Sequence, residues 1–318
     1  MTGPSDIDIV IVNWNAGELL QKCIRSVGSA VQGSGLVVKL IVVDNDSSDQ
    51  SAANLQSPEC PLVVVRNIKN VGFGAACNQG AREGHAEFLL FLNPDTEISA
   101  ENLREPVAFL REPANARYGV CGIQLRDESG DISRSCARIP TVFQLLFTSV
   151  GLAQAFPGLP FGIPMTDWDH RSSRDVDHVI GAFYLIRRTL FSAVGGFDER
   201  YFVYLEDLDL SLRVRQAGYV SRYLTSTFAH HVGGGTSRQI KARRLFYSID
   251  SRLTFLRRHF GRICYLAFLP VVFVVEPVAR ILLALARFDR QSAAEVLAAY
   301  RLLWQKRFGS SRHPGRGQ

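Results

Sequence analysis

Residues 7–15, Ile-Asp-Ile-Val-Ile-Val-Asn-Trp-Asn, carry a β-branched apolar run straight into a polar cluster, and the pattern recurs downstream. Leu36–Val43 (LVVKLIVV) empties into Asp44-Asn45-Asp46-Ser47-Ser48, and Glu87–Leu92 (EFLLFL) into Asn93-Pro94-Asp95. Leu62–Arg66 is a further short run. Between the runs lie helical patterns: Leu19, Leu20, Cys23, Ile24 and Val27 after the first, and about Gly74 to Glu83 before the last. Continuous apolar strands separated by helices form a mostly parallel sheet covered on both faces. The fold class is therefore α/β. Such sheets bind ligands at the carboxyl ends of their strands, and three polar clusters sit at three such ends.

Further along, Ile123 to Asp177 is loop-rich, with Pro140, Pro157, Pro160 and Pro164. A long irregular segment of this kind reads as a binding loop or lid. A strand is expected from His178 to Arg187, then a helix near Leu205–Ala217 ended by Gly218. After Gly233-Gly234-Gly235 the chain turns basic, helical and apolar in blocks, and 310–318 reads as a disordered tail.

The 318 residues are 47% hydrophobic and 21% charged, ordinary for a chain that buries a real core. The net charge of +6 is unevenly placed: residues from Arg238 onward hold 16 Lys and Arg against 4 Asp and Glu, leaving residues 1–237 at −6. An acidic main body argues against nucleic-acid binding. Six cysteines lie scattered with no C-x-x-C pair, which suits neither a zinc knot nor a disulfide framework. The N-terminus lacks a basic n-region and an apolar h-region, so no signal peptide is expected.

Common sites are missing: no G-x-G-x-x-G follows the first strand, and no P-loop, G-x-S-x-G elbow or H-E-x-x-H is present. Carboxylates and amides at strand ends remain, with one histidine pair. That set suits a nucleoside diphosphate bound through a hard cation, because Mg²⁺ and Mn²⁺ prefer oxygen ligands and are usually shared with phosphates.

Taken in order, Ile9 to Asn15, Val42 to Asp49, Asn70-Val71-Gly72-Phe73-Gly74, Leu92 to Thr96, Gly195 to Tyr201, Glu206-Asp207-Leu208-Asp209-Leu210 and His230-His231 resemble the family 2 glycosyltransferases, most closely their bacterial rhamnosyltransferase-like branch. The resemblance covers roughly residues 6–237. It implies a GT-A fold, with a nucleotide-binding part at about 6–122 and an acceptor-binding part at about 123–237. It also implies an inverting mechanism, a uridine or thymidine diphosphate sugar as donor (dTDP-rhamnose foremost) and a polyprenyl-diphosphate-linked glycan as acceptor. Galactofuranose or a hexose is the alternative cargo. A catalytically inactive membrane-anchored scaffold is the rival from another class, disfavoured because Asp95 and Asp207 are both present.

Carried onto this chain, the resemblance makes Asp44 the acceptor of the pyrimidine ring N–H, which uracil and thymine carry and cytosine lacks. A turn or capping aspartate is the alternative, and Asp46 and Ser47 are read as helix caps. Asn13, Asn15, Gly72, Asn78 and Asn93 fall with the nucleotide sugar, Gly72-Phe73-Gly74 with Asn78 letting backbone approach the ribose; a loop-to-helix cap is the equal alternative. Asp95 is the last carboxylate of the metal motif, whose first acidic position is here Asn93, so one carboxylate would carry Mg²⁺ or Mn²⁺. Neighbours on a strand point to opposite faces, so only one of His230 and His231 can be its companion, and the spacing to Thr236-Ser237 favours His231. Asp207 is the catalytic base, with Glu206 orienting it or contacting the acceptor; Asp209 reads as a helix-surface partner of Arg213. Gly181 and Ala182 would leave room beneath the acceptor, and Arg134 and Arg138 are either solvated surface arginines or partners of its phosphate.

In the basic tail, Ser248–Phe260 is amphipathic, and the blocks Ile263–Val275 and Val278–Ala286 are separated by Glu276-Pro277. Pro270 and the Glu-Pro step predict a helical hairpin lying in the bilayer interface rather than one spanning helix, its arginines meeting anionic lipids. That reading puts the chain at the cytoplasmic face of the bacterial inner membrane, held peripherally through residues 238–309. A cap on the core or a homodimer interface is the alternative use of the blocks.

Overall fold

Four parallel strands occupy one end of the sheet: β1 (Ile7–Asn13), β2 (Val38–Asp44), β3 (Leu62–Arg66) and β4 (Phe88–Leu92), side by side as β3-β2-β1-β4. The computed structural model describes residues 5–152, 162–233 and 241–308. α1 (Glu18–Ser34), α2 (Phe73–Arg82) and α3 (Ala100–Arg111) cover these strands. Every residue of β1 is buried, and its alternation divides two cores. Ile7, Ile9 and Ile11 pack with Leu20, Cys23 and Leu103, whereas Val10 and Val12 pack with Ala76, Cys77 and Ala81.

The second half adds β5 (Thr96–Glu97), β6 (Tyr118–Arg126), β7 (Ile132–Ser133), β8 (Cys136–Ala137), α4 (Val142–Ser149), β9 (Arg174–Val176), β10 (His178–Val179), β11 (Phe183–Arg187), α5 (Arg188–Ala193), α6 (Glu206–Gln216) and β12 (Val220–His231). β11 runs antiparallel between β4 and β6, β12 lies parallel to β6, and β5 pairs with the far end of β12. The sheet is mixed, and parallel across its β3-β2-β1-β4 half. The strand expected across His178–Arg187 is broken: β10 pairs with β8 in a second small sheet, and β11 starts only at Phe183. The expected 237/238 boundary, Gly234, Gly235 and the tail from 310 lie outside the described residues.

The extension comprises α7 (Lys241–His259), α8 (Gly261–Pro270), α9 (Glu276–Ala286) and α10 (Arg290–Phe308). Here the structure corrects the hairpin. α8, a π-helical stretch Val271–Val275 and α9 form one 26-residue helix, Gly261–Ala286, long and apolar enough to cross a membrane. Proline lacks the N–H an α-helix needs, and wide π turns re-route the bonds around such a gap. Pro270 and Pro277 flank that stretch, so neither ends the helix.

One stripe of this helix, Phe268, Val272, Glu276 and Ala284, is buried, and the first two share a core with Leu253 and Leu256 of α7, Leu303 of α10, and Tyr201 and Leu208 beside the candidate base. Glu276, fully buried, takes Arg252 at 2.5 Å and Arg280 at 2.8 Å. Asp250 takes Lys306 and Arg307, both at 2.7 Å. Part of the tail's positive charge is thus neutralised internally. Arg243, Arg244, Arg262, Arg287, Arg290 and Arg301 are exposed and form no ion pair among the described residues.

Candidate active site

Adjacent strand ends bring the polar clusters into one row: Asp44 ends β2, Asn13 ends β1 opposite it, and Asn93-Pro94-Asp95 follows β4. Asn13 Nδ2 donates to Asp44 Oδ1 at 2.9 Å, Ser47 Oγ at 2.9 Å and Ser51 Oγ at 2.8 Å, while Asn13 Oδ1 is buried with no partner. Asn15, in the left-handed region at φ 51°, accepts from Ser48 N–H at 2.7 Å and donates its own N–H to Ser47 Oγ at 3.0 Å. Ser47 therefore ties two loops together; no helix follows for it or Asp46 to cap.

Gly72 stands at the loop-to-helix junction before α2, the alternative place the sequence offered for it. At φ 91° it lies against Phe202, whose carbonyl a Cβ would strike and which accepts Phe73 N–H at 2.7 Å. Asn45, on neither side of the expected site, carries this loop: it bonds Asn67, Asn70, Val71 N–H and the Gly72 carbonyl. Gly72→Ala is expected to destabilise by about 1–3 kcal/mol from backbone strain alone, visible as a melting temperature several degrees lower. Asn78 is likewise set apart from the row. It donates to the Phe197 carbonyl at 2.9 Å and Glu199 at 3.0 Å and accepts Phe197 N–H at 2.9 Å, so it fastens α2 to the Gly195–Tyr201 loop.

At the far end of the row, His231 Nε2 is 3.2 Å from Asp95 Oδ1 and 3.4 Å from Asn93 Nδ2. His230 faces the other way, exposed, its ring against Phe228. Burial works against the Asp95 charge, yet the hydrogen bond and charge of His231, with backbone N–H groups of Asp95 and Gly233, hold the carboxyl below its usual range. Among the described residues no three His, Cys, Asp or Glu side chains gather as a metal cage. One carboxylate, one imidazole and one amide form a partial set, which fits a hard cation that completes its shell with diphosphate oxygens and water.

Asp207 opens α6. Its Oδ1 accepts Leu208 N–H at 2.8 Å and its Oδ2 accepts Gly181 N–H at 2.9 Å. The next residue, Ala182, turns its carbonyl the other way to take Asn93 N–H at 3.2 Å. Gly181-Ala182 is thus a two-residue bridge between Asp207 and the Asn-Pro-Asp turn, at the place where the expected strand breaks. Glu206 is buried with Oε2 unpartnered, packed toward Gly74; burial first, then the Asp207 charge, pushes its carboxyl well above the usual range.

Tyr204 and Leu205, both at positive φ (72° and 65°), deliver the chain into α6. Such conformations cost non-glycine residues about 1–3 kcal/mol each. Contacts from α7 hold the turn: Ser251 Oγ donates to the Val203 carbonyl at 2.8 Å, and Tyr247 stacks on Phe202 at 4.6 Å. Asp209 is no surface residue. Fully buried, it joins Arg213 at 2.7 Å as the spacing predicted, but also Arg258 at 3.0 Å and His259 at 2.7 Å from α7.

Of the acceptor arginines, Arg134 is exposed, and Arg138 is paired with Asp167 at 2.6 Å beside a cleft of about 390 Å³ lined by Arg174, Asp177 and Tyr219. The structure does not bring Arg138 to Asp207.

An αβα layer with a carboxylate–imidazole pair at one strand end and a helix-borne aspartate beside it has the layout of a GT-A sugar transferase. The Glycosyl transferase family 2 profile matches residues 8–194, and the chain belongs to that family of enzymes. Among curated proteins it is 28% identical over 278 residues to the N-acetylglucosaminyl-diphospho-decaprenol L-rhamnosyltransferase of Mycobacterium tuberculosis, covering 80% of this chain and 85% of that one. It is 27% identical over 182 residues to rhamnosyltransferase WbbL of Escherichia coli strain K12, covering 56% and 64%. Among solved structures, the mannosyltransferase PcManGT from Pyrobaculum calidifontis, in complex with GDP-Man and Mn²⁺, superposes with a TM-score of 0.55 at 14% identity, covering 96% of this chain and 89% of that one. TarS 1-349 of S. aureus gives 0.51 at 14%, covering 93% and 91%. Both share the fold.

Proposed function

We propose that this enzyme transfers a sugar, rhamnose foremost, from a dTDP- or UDP-sugar to a polyprenyl-diphosphate-linked glycan, with inversion at the anomeric carbon. The observation that carries the reading is the bridge at Gly181-Ala182, which holds Asp207 and the Asn93–Asp95 turn in one rigid frame. In this reading Asp44 keeps Oδ2 for the pyrimidine imide while Asn13 occupies Oδ1. Asp95 and His231, with Asn93, would hold Mg²⁺ or Mn²⁺, which supplies counter-charge to the leaving diphosphate. Asp207 takes the proton of the acceptor hydroxyl as that oxygen attacks. The rhamnosyltransferase relatives support rhamnose and the lipid-linked acceptor. A hexosyltransferase relative, Agl10 of Haloferax volcanii, 28% identical over 216 residues, supports a hexose as second choice.

The test is transfer to polyprenyl-diphosphate-linked N-acetylglucosamine from a panel of nucleotide sugars with Mn²⁺, products weighed by mass spectrometry. Rhamnose addition is expected; addition of another sugar alone replaces the cargo, and hydrolysis or silence with every donor removes the reading.

We place this work at the cytoplasmic face of the inner membrane, as a peripheral protein. The exposed face of helix Gly261–Ala286, with Ile263 at 86% exposure, and Phe288 just beyond it at 93%, supports insertion into the interface. The six unpaired arginines would add about 1 kcal/mol each near anionic lipid. Raising salt from 0.1 to 1 M, which shortens screening from ~10 to ~3 Å, should weaken binding to anionic vesicles without abolishing it. Ile263→Glu with Phe288→Glu should remove the salt-resistant part. Unchanged retention in that double variant would exclude the insertion.

A further inference from the structure

The base has a partner on its inner side that no motif singled out. His178 of β10 is buried, and its Nε2 lies 3.6 Å from Asp207 Oδ2. Its Nδ1 is 2.9 Å from Ser211 Oγ, and Ser211 Oγ is 3.1 Å from the Tyr184 hydroxyl. Ser211 stands four residues after Asp207 on α6, on the same helix face. Four polar groups from three elements thus form a line that ends on the carboxylate: Tyr184 of β11, Ser211 of α6, His178 of β10, Asp207.

We infer that His178 is a positioning residue for Asp207, a neutral imidazole that directs Nε2–H at Oδ2 and holds the carboxylate turned toward the acceptor hydroxyl. The inference rests on Asp207 being the base. Its tautomer follows from the carboxylate: Asp207 Oδ2 can only accept, so Nε2 carries the proton, Nδ1 accepts from the Ser211 hydroxyl, and Ser211 accepts from the Tyr184 hydroxyl. Burial disfavours the imidazolium more than Asp207 and Asp177 favour it, so the ring is neutral at neutral pH. The other ionisable groups around it are accounted for. Asp177 is paired with Arg215 at 3.0 Å, Glu206 is buried on the α2 side with the Cys77 thiol pushed up by burial, and Arg213 lies behind Tyr184 with Asp209. At 3.6 Å the contact is longer than a hydrogen bond, and catalytic contacts of this kind tighten when substrate binds.

The step balances without His178 changing charge. The acceptor O–H proton passes to Asp207, the acceptor oxygen bonds to the anomeric carbon, and the bond from that carbon to the diphosphate breaks with its electron pair on the departing nucleoside diphosphate. Without the imidazole, the carboxylate loses one directed donor and is free to turn away from the acceptor hydroxyl.

The experiment compares His178→Phe, His178→Gln and Asp207→Asn in the full chain, following kcat and the donor KM. His178→Phe should lower kcat ~10–100-fold, as loss of an orienting partner does, with donor KM within about twofold. His178→Gln, whose amide reaches the Nε2 position, should restore most of kcat. Should His178→Phe fail to fold by circular dichroism, Ser211→Ala, which releases Nδ1, is expected to lower kcat with donor KM kept. Wild-type kcat in His178→Phe, or equal losses of kcat in the Phe and Gln variants, overturns the positioning role while Asp207→Asn stays inactive. If Asp207→Asn itself turns over normally, the base assignment fails first, and the two failures are told apart.

Discussion

Asp207→Asn is expected to bind donor nucleotide as the native enzyme does and to turn over ~10²–10⁴-fold more slowly. The amide is isosteric and can still accept Gly181 N–H at one oxygen, so the bridge to Ala182 and Asn93 survives. What disappears is the proton acceptor. The Leu208 N–H then faces an NH₂ group, a local penalty of about 1–3 kcal/mol that the fold can carry. Single-turnover product formation measures the first effect and calorimetric nucleotide binding the second. Parallel collapse of affinity and turnover would assign Asp207 to the donor site or the fold.

The second large effect belongs to Asp95→Ala. The carboxylate is the one acidic group in the set with His231 and Asn93, so its loss should lower turnover at least ~10²-fold, as removal of charge stabilisation on a leaving group does. Excess chelator should reproduce the loss in the native protein, and Mn²⁺ should restore it there but not in the variant. Full transfer in chelator would leave Asp95 and His231 as an ion pair only.

Much of this was legible in the sequence because the information is local. Continuous β-branched runs dictate a two-face-buried parallel sheet, and the polar residues that end them can only sit at its edge. Period-two alternation likewise separated His231 from His230. The unread features depend on partners far along the chain. Arg213 lies one helical turn from Asp209 and was legible; Arg258 and His259, some fifty residues on, turn the same carboxylate from a surface group into a buried hub. Asn78 and Gly72 fall with the nucleotide through the resemblance alone, because the Phe197 and Phe202 backbones they contact come from more than a hundred residues downstream. Pro270 and Pro277 read as breaks because sequence rules treat proline singly; the π turns between them are a joint property of the pair.

The strained turn at Tyr204 and Leu205 bears on how this chain can be cut and recombined. The candidate base follows a turn that Tyr204 and Leu205 resist; Tyr247 and Ser251 hold that turn, Arg258 and His259 hold Asp209 just after it, and all four belong to α7. Catalytic half and tail are therefore not interchangeable modules. A chimaera that exchanges the helices of 241–308 for those of a relative must carry Phe202, Val203 and Asp209 with them, or the turn relaxes and Asp207 leaves its frame.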